Sequence, residues 1–238
     1  MAAEATPGLL YLPELPGPGS SLLLEPADAR YVARVCRARV GERLEATDGR
    51  GHRADLRLVE VRKGVVAEVE TVRSDPPGRR AWVLCGAPEG ERADWLVEKL
   101  AELGVERFVP VDAARGRWRR AADRRARWER LAIAGLRQSR RSRLMALEEP
   151  LPLAQALDRV PGYSERWLAE ATGSVTAAGT DPAVEVAVGL VGPSGGLDPQ
   201  ERQAALESAF QPMRLAGARL RTETAAMAWA VWWSLRGA

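Results

Sequence analysis

The chain has 238 residues, 46% hydrophobic and 28% charged, with a formal net charge of +3, which is enough to bury a core in one large domain or two unequal ones. Cys36 and Cys85 are the only cysteines and His52 the only histidine, which excludes a disulfide framework and the usual zinc and iron–sulfur ligand sets. No apolar run is long enough to span a membrane, and the first residues lack the layout of a signal peptide, so a soluble cytoplasmic protein is expected.

Residues 1–20 carry Pro7, Pro13, Pro16 and Pro18 with three glycines, a turn-rich lead-in. Short β-like runs follow at 31–35, 43–47, 54–61 and 65–72. Gly41, Asp48 with Gly49 and Gly51, and Lys63 with Gly64 supply the turns between them. So many short strands in so few residues predict a small β-barrel or sandwich over residues 1–73. Ser74, Asp75, Pro76, Pro77 and Gly78 mark a linker over 74–80.

From 81 to 238 strands and helices alternate. A strand at 82–85 leads to a helix at 92–103, with Trp95, Leu96, Leu100 and Leu103 on one face and Gly104 ending it. A strand at 107–111 precedes a long arginine-rich helix whose apolar stripe is Trp128, Leu131, Ile133 and Leu136. Strands at 166–170 and 184–191 and helices at 199–210 and 224–235 complete the set. Such alternation predicts an α/β fold, a parallel sheet covered on both faces.

Lys63 and Lys99 are the only lysines, so 33 of the 35 basic residues are arginine. Between Arg115 and Arg143 twelve arginines face only Asp123 and Glu129, a local charge of +10. The remaining residues therefore sum to −7. A second basic region from Arg30 to Lys63 holds ten positive against five negative residues. Clustered charge on a nearly neutral chain points to a polyanion, with Arg37, Arg39, Arg115, Arg117, Arg119, Arg120, Arg124, Arg125 and Arg141 as the phosphate-binding candidates.

The stretch from Val188 to Glu201 runs from a strand into a glycine-rich turn and then a helix. Asp198 fits the N-cap, Pro199 the first helical position and Glu201 the capping-box position. Glycines let backbone approach a ligand, and a helix N-terminus favours an anionic group. Gly192, Pro193, Ser194, Gly195 and Gly196 also match a G-x-S-x-G nucleophile elbow. That chemistry needs a histidine after the serine, and none follows Ser194. No Rossmann fingerprint and no Walker A lysine occur. Further on, Arg219, Arg221 and Glu223 crowd the start of an apolar helix containing Met227, Trp229, Trp232 and Trp233. The tryptophans read as core or subunit interface.

These two motifs, in this order, resemble the SPOUT superfamily of methyltransferases, and more narrowly the ribosomal small-subunit uridine-N3 methyltransferase family. Its G-P-E-G-G loop is matched by Gly192 to Gly196, and its L-R-T-E-T-A block by Leu220, Arg221, Thr222, Glu223, Thr224 and Ala225. Weaker matches are the helix ending in Glu102, Leu103, Gly104 and Val105, and the N-terminal stretches at 35–41 and 48–51. The resemblance implies an N-terminal PUA-like β-barrel that holds RNA and a C-terminal SPOUT domain threaded in a deep trefoil knot. It implies a homodimer that binds S-adenosyl-L-methionine and acts on small-subunit ribosomal RNA. The matching cofactor positions are Leu190, Gly192, Gly195, Gly196, Leu215, Leu220 and Thr222, and the catalytic ones Arg221 and Glu223. No metal and no membrane enter this reading.

Three positions depart from the family pattern. The loop glutamate is Ser194, the E-Q-S-G-R stretch reads Arg137, Gln138, Ser139, Arg140 and Arg141, and an arginine of the leucine turn falls on Ala218. Ser194 favours an alternative, a non-catalytic RNA-binding or ribosome-assembly protein of the same fold. Arg221 and Glu223 favour the enzyme. A third reading keeps the enzyme and makes transfer RNA the substrate, because arginines report phosphates and not bases.

Overall fold

The computed structural model describes residues 8–62, 64–174 and 184–236. Lys63 and residues 1–7 of the lead-in lie outside them. The chain divides into two compact units, Met1–Pro77 with Leu136–Leu144, and Gly78–Gly135 with Met145–Ala238.

The first unit holds β1 (Leu10–Tyr11), β2 (Ser21–Leu23), β3 (Arg43–Thr47), β4 (His52–Glu60) and β5 (Val66–Ser74) in the order β1-β3-β4-β5-β2. Every pairing is antiparallel except β1 with β3. Alternation in β4 sends Ala54, Leu56 and Leu58 into a core shared with Leu10, Leu44 and Val69.

The run at 31–35 is not a strand. Helix α1 (Pro26–Arg30) continues into a π-helical turn, Tyr31–Val35, closed by the Cys36 N–H donating to Tyr31 O at 3.0 Å. Val32 is buried and Val35 is 69% exposed, a split that a strand would also show, so burial alone does not separate the two conformations. Pro26 at the first helical turn decides the local conformation instead. Arg37 then turns the chain with φ 51°.

The Asp48 turn is bonded from within. Asp48 Oδ1 accepts from the Arg50 and His52 amides, and Oδ2 lies 2.6 Å from His52 Nδ1. Burial alone would raise the Asp48 carboxyl. The His52 side chain and the two amide donors outweigh it and hold it below the usual carboxylate range.

Residues 136–144 are stitched to the same turn. Gly51 N–H donates to Ser142 O and Leu144 N–H to Gly49 O. Thr47 Oγ1 lies 3.0 Å from Ser142 O, Arg137 Nη2 lies 2.7 Å from Asp28 Oδ1, and Arg140, with φ 55°, pairs with Glu45.

In the second unit β6 (Arg80–Gly86), α2 (Ala93–Glu102), β7 (Arg107–Asp112), α3 (Ala121–Ser139, ending in the first unit), β8 (Ala146–Leu147), β9 (Leu151–Pro152), α4 (Leu153–Asp158), β10 (Ser164–Ser174), β11 (Val186–Val191), α5 (Pro199–Glu207), β12 (Gln211–Met213) and α6 (Thr222–Ser234) follow in turn. The sheet order is β12-β10-β11-β6-β7-β8, with β9 beside β7, and every pairing is parallel. The alternating α/β architecture is therefore present. Val186, Val188 and Leu190 of β11 join Leu84, Leu168, Leu157 and Ala205 in one apolar layer. On the other face α6 packs against β6, β11 and α2. A Cβ at Gly189 would sit 2.6 Å from Trp229 Cε2, so only glycine lets that indole lie on the strand.

Two helix faces are rotated from expectation. Helix α2 buries Ala93, Leu96, Val97, Leu100 and Ala101, and leaves Trp95 46% exposed. Helix α3 buries Trp128, Ala132 and Leu136, while Leu131 and Ile133 are only partly covered. The cause is a close crossing: a Cβ at Gly135 would lie 2.8 Å from Ala101 Cβ, so small residues take the interface. Trp128 Nε1 donates to Asp94 Oδ1 at 2.9 Å, and Trp128, Trp118 and Phe108 meet edge to face.

Candidate active site at the ends of the parallel strands

The connections leaving β6 and β11 diverge, one toward β7 and the other past β10 to β12. At such a switch point in a parallel sheet a crevice opens beyond the strand C-termini. A cavity of about 620 Å³ lies there, within the range that holds a small ligand. Its walls are the end of β10, the loop after β11, the loop from Arg214 into α6, and the pair Glu89 and Arg92.

The loop after β11 is a tight turn, with the Gly196 N–H donating to Pro193 O at 2.7 Å and Gly196 at φ 73°. A Cβ at Gly86 would lie 2.6 Å from Pro193 Cδ, so the end of β6 must be bare for the loop to cross it. The expected capping box is present: Glu201 N–H donates to Asp198 Oδ1 and Asp198 N–H to Glu201 Oε2. Thr222 Oγ1 donates to Gly192 O at 3.1 Å, and Arg219 Nη2 donates to Ser194 O at 3.2 Å. These bonds join the two loops.

Gly192, Gly196, Leu215, Leu220, Arg221, Thr222 and Glu223 all line the cavity. Leu190 does not, being part of the apolar layer. Gly195 does not either: it packs on Arg115, whose Nη1 donates to the carbonyls of Gly195 and Leu197 at 3.4 Å each. Arg221 is the exposed N-cap of α6, and neither it nor Arg214 makes a side-chain hydrogen bond or ion pair among the described residues. Glu223 is buried, and Arg92 Nε lies 3.2 Å from its Oε1. Burial, with the Glu223 carboxylate nearby, pushes the Cys85 thiol well above its ordinary range, so it is no nucleophile. Ser194 gains no base either, because His52 belongs to the other unit and is tied to Asp48. Trp229 and Trp233 are buried in parallel, which makes them core, and the partly buried Trp232 packs on Trp167.

The basic candidates separate into two groups. Arg37, Arg39, Arg117 and Arg119 are exposed, with no ion pair among the described residues. Arg141 is exposed too. Arg124 lies 3.4 Å from Asp94 and 3.2 Å from Glu91, and Arg125 pairs with Glu129 and Glu149. Arg120 sits 3.7 Å from Asp123. Arg92, Arg214 and the Glu170–Arg202 pair also lie on the cavity wall, and no motif marks them in the sequence. Among so many arginines no spacing singles these out.

A model of the RNA methyltransferase domain matches residues 75–234, and one of the RNA methyltransferase PUA domain matches 24–70. The ribosomal RNA small subunit methyltransferase E of Mycobacterium tuberculosis is 30% identical over 231 residues, covering 92% of this chain and 87% of the relative. That of Bacillus subtilis is 25% identical over 214 residues, covering 83% of each. A crystal structure of the ribosomal RNA small subunit methyltransferase E from Neisseria gonorrhoeae, bound to S-adenosyl methionine, superposes with a TM-score of 0.85. It is 29% identical and covers 96% of this chain and 97% of that one.

Proposed function

This chain belongs to the RNA methyltransferase family, and from that premise we propose that it methylates N3 of a uridine in small-subunit ribosomal RNA, using S-adenosyl-L-methionine. The observation that carries the reading is the cavity closed by two loops joined through Thr222 and Gly192, with Arg221 and Glu223 on its wall. Its size suits the cofactor. Its loops offer backbone at Gly192 and Gly196, and Glu89 lines the wall beside the ion-paired Glu170 and Glu223. When bound, the cofactor supplies a methyl group already activated by its sulfonium.

Uridine N3 carries a proton at neutral pH, so it is a poor nucleophile until that proton leaves. Glu223 receives it. The pair left on N3 forms the N–CH₃ bond as the S–CH₃ pair returns to sulfur. Arg221, always cationic, stabilises the imidate charge on the ring oxygens as it develops. The uridine reaches the cavity by leaving its stack. The same reading divides the chain into an RNA-holding domain at 1–73, a linker at 74–80 and a catalytic domain at 81–238, except that residues 136–144 fold with the first unit. It carries the homodimer and the trefoil knot as well.

Calorimetry should detect S-adenosylmethionine binding to the purified protein, and labelled methyl groups should enter unmodified small-subunit rRNA at a uridine N3. A folded protein that binds no cofactor would sink the enzyme reading. Label appearing in transfer RNA instead would move the substrate.

RNA affinity should fall steeply with salt. Alanine at Arg117 and Arg119 should flatten the slope of log affinity against log salt by about 1 to 2. Alanine at Arg124 and Arg125 should change it less, because those guanidiniums already face acidic partners. Equal effects would mean that the acidic partners release on binding.

A further inference from the structure

Among the described residues of the C-terminal unit, Glu223 is the one buried carboxylate, 3% exposed. Its Oε1 lies 3.2 Å from Arg92 Nε, and its Oε2 has no hydrogen-bond or ion-pair partner among the described residues. Arg221, two residues away, forms no ion pair with it. The neighbouring Cys85 thiol is buried and neutral. A carboxylate withdrawn from water this far is costly unless a cation accompanies it. Arg92 stands one residue before α2, on a different element from the glutamate, and both side chains line the cavity.

We infer that Arg92 is a positioning residue: it anchors Glu223 through one oxygen and leaves the other to take the substrate proton. The inference rests on the proposed methyl transfer and assigns Arg92 no contact with RNA. The N3 proton passes to Oε2 of Glu223 and from there to solvent, while Arg92 keeps its own protons throughout. The half-exposed Arg92 guanidinium connects the buried acid to water.

A double-mutant cycle tests this with two measurements. In the first, Arg92→Met should lower kcat by about a hundredfold, within the usual range for lost acid–base assistance, with Kd for S-adenosylmethionine within about threefold. Arg92→Lys should recover most of the loss. On a Glu223→Gln background, Arg92→Met should lower kcat no further. In the second, urea unfolding without cofactor, Arg92→Met should destabilise the wild-type protein but not the Glu223→Gln variant. Multiplicative losses in kcat, or a raised KM for RNA at unchanged kcat, would overturn the inference. So would equal destabilisation in both backgrounds. A wild-type protein that binds cofactor yet transfers no methyl group to any RNA would overturn the reading itself, which the unfolding cycle distinguishes from loss of the pair.

Discussion

Arg221→Ala should lower kcat for methyl transfer by about a hundred- to a thousandfold, the usual consequence of removing one group that stabilises developing charge. Cofactor Kd should stay within several-fold. The Arg221 backbone caps α6 and is retained in the variant, and the bond from Thr222 to Gly192 that joins the loops does not involve its side chain. The guanidinium is exposed on the cavity wall and has no protein partner among the described residues. Its charge is therefore available to a substrate that covers it and excludes water. An interaction made only as the imidate forms changes kcat far more than binding. Single-turnover kinetics with saturating cofactor would separate the two. A variant that loses cofactor binding but keeps its rate at saturation would make Arg221 a binding residue.

Gly86→Ala should raise Kd for S-adenosylmethionine at least tenfold and lower unfolding stability by about 2 kcal/mol, although residue 86 does not line the cavity. The added Cβ would overlap Pro193, including its backbone nitrogen, and backbone cannot rotate aside as a flexible side chain can. Overpacking of this kind costs roughly 1–3 kcal/mol, and 1.4 kcal/mol is a factor of ten in affinity. The loop carrying Gly192 and Gly196 would have to shift, breaking its bond with Thr222. Gly162→Ala is the control, since nothing lies within 4 Å of its new Cβ. Titration calorimetry and urea unfolding of both variants check the pair. Wild-type binding by Gly86→Ala would mean that the loop does not hold the cofactor.

What was legible in the sequence was local. Asp198, Pro199 and Glu201 lie within one helical turn, so their capping pattern reads directly from spacing. The glycine turn after β11 and the strand–helix alternation are of the same kind. Tyr31–Val35 misled because a five-residue run with an aromatic and two β-branched residues is too short for its period to be read, and the deciding residue, Pro26, lies upstream. Helices α2 and α3 were recognised, but their buried faces depended on a crossing at Gly135 between segments more than thirty residues apart. Strands β8, β9 and β12, of two or three residues, carry no pattern to read. At the cavity, Arg221 and Glu223 came from a motif. Arg92 came from neither motif nor spacing, because its partner is 131 residues later and only the fold brings them together.

The bonds that tie residues 142–144 to the Asp48 turn bear on the order in which the protein is made. Synthesis is vectorial and domains tend to fold as they emerge, yet after residue 77 the N-terminal unit still lacks the strand of backbone that satisfies Gly51 and Gly49. Those groups wait on water until residue 144 has left the ribosome, by which time β6, α2, β7 and the whole of α3 are already out. The first unit in sequence is thus completed only after the second has begun. A fragment cut at the proline-rich linker would remain permanently in the state that the nascent chain merely passes through.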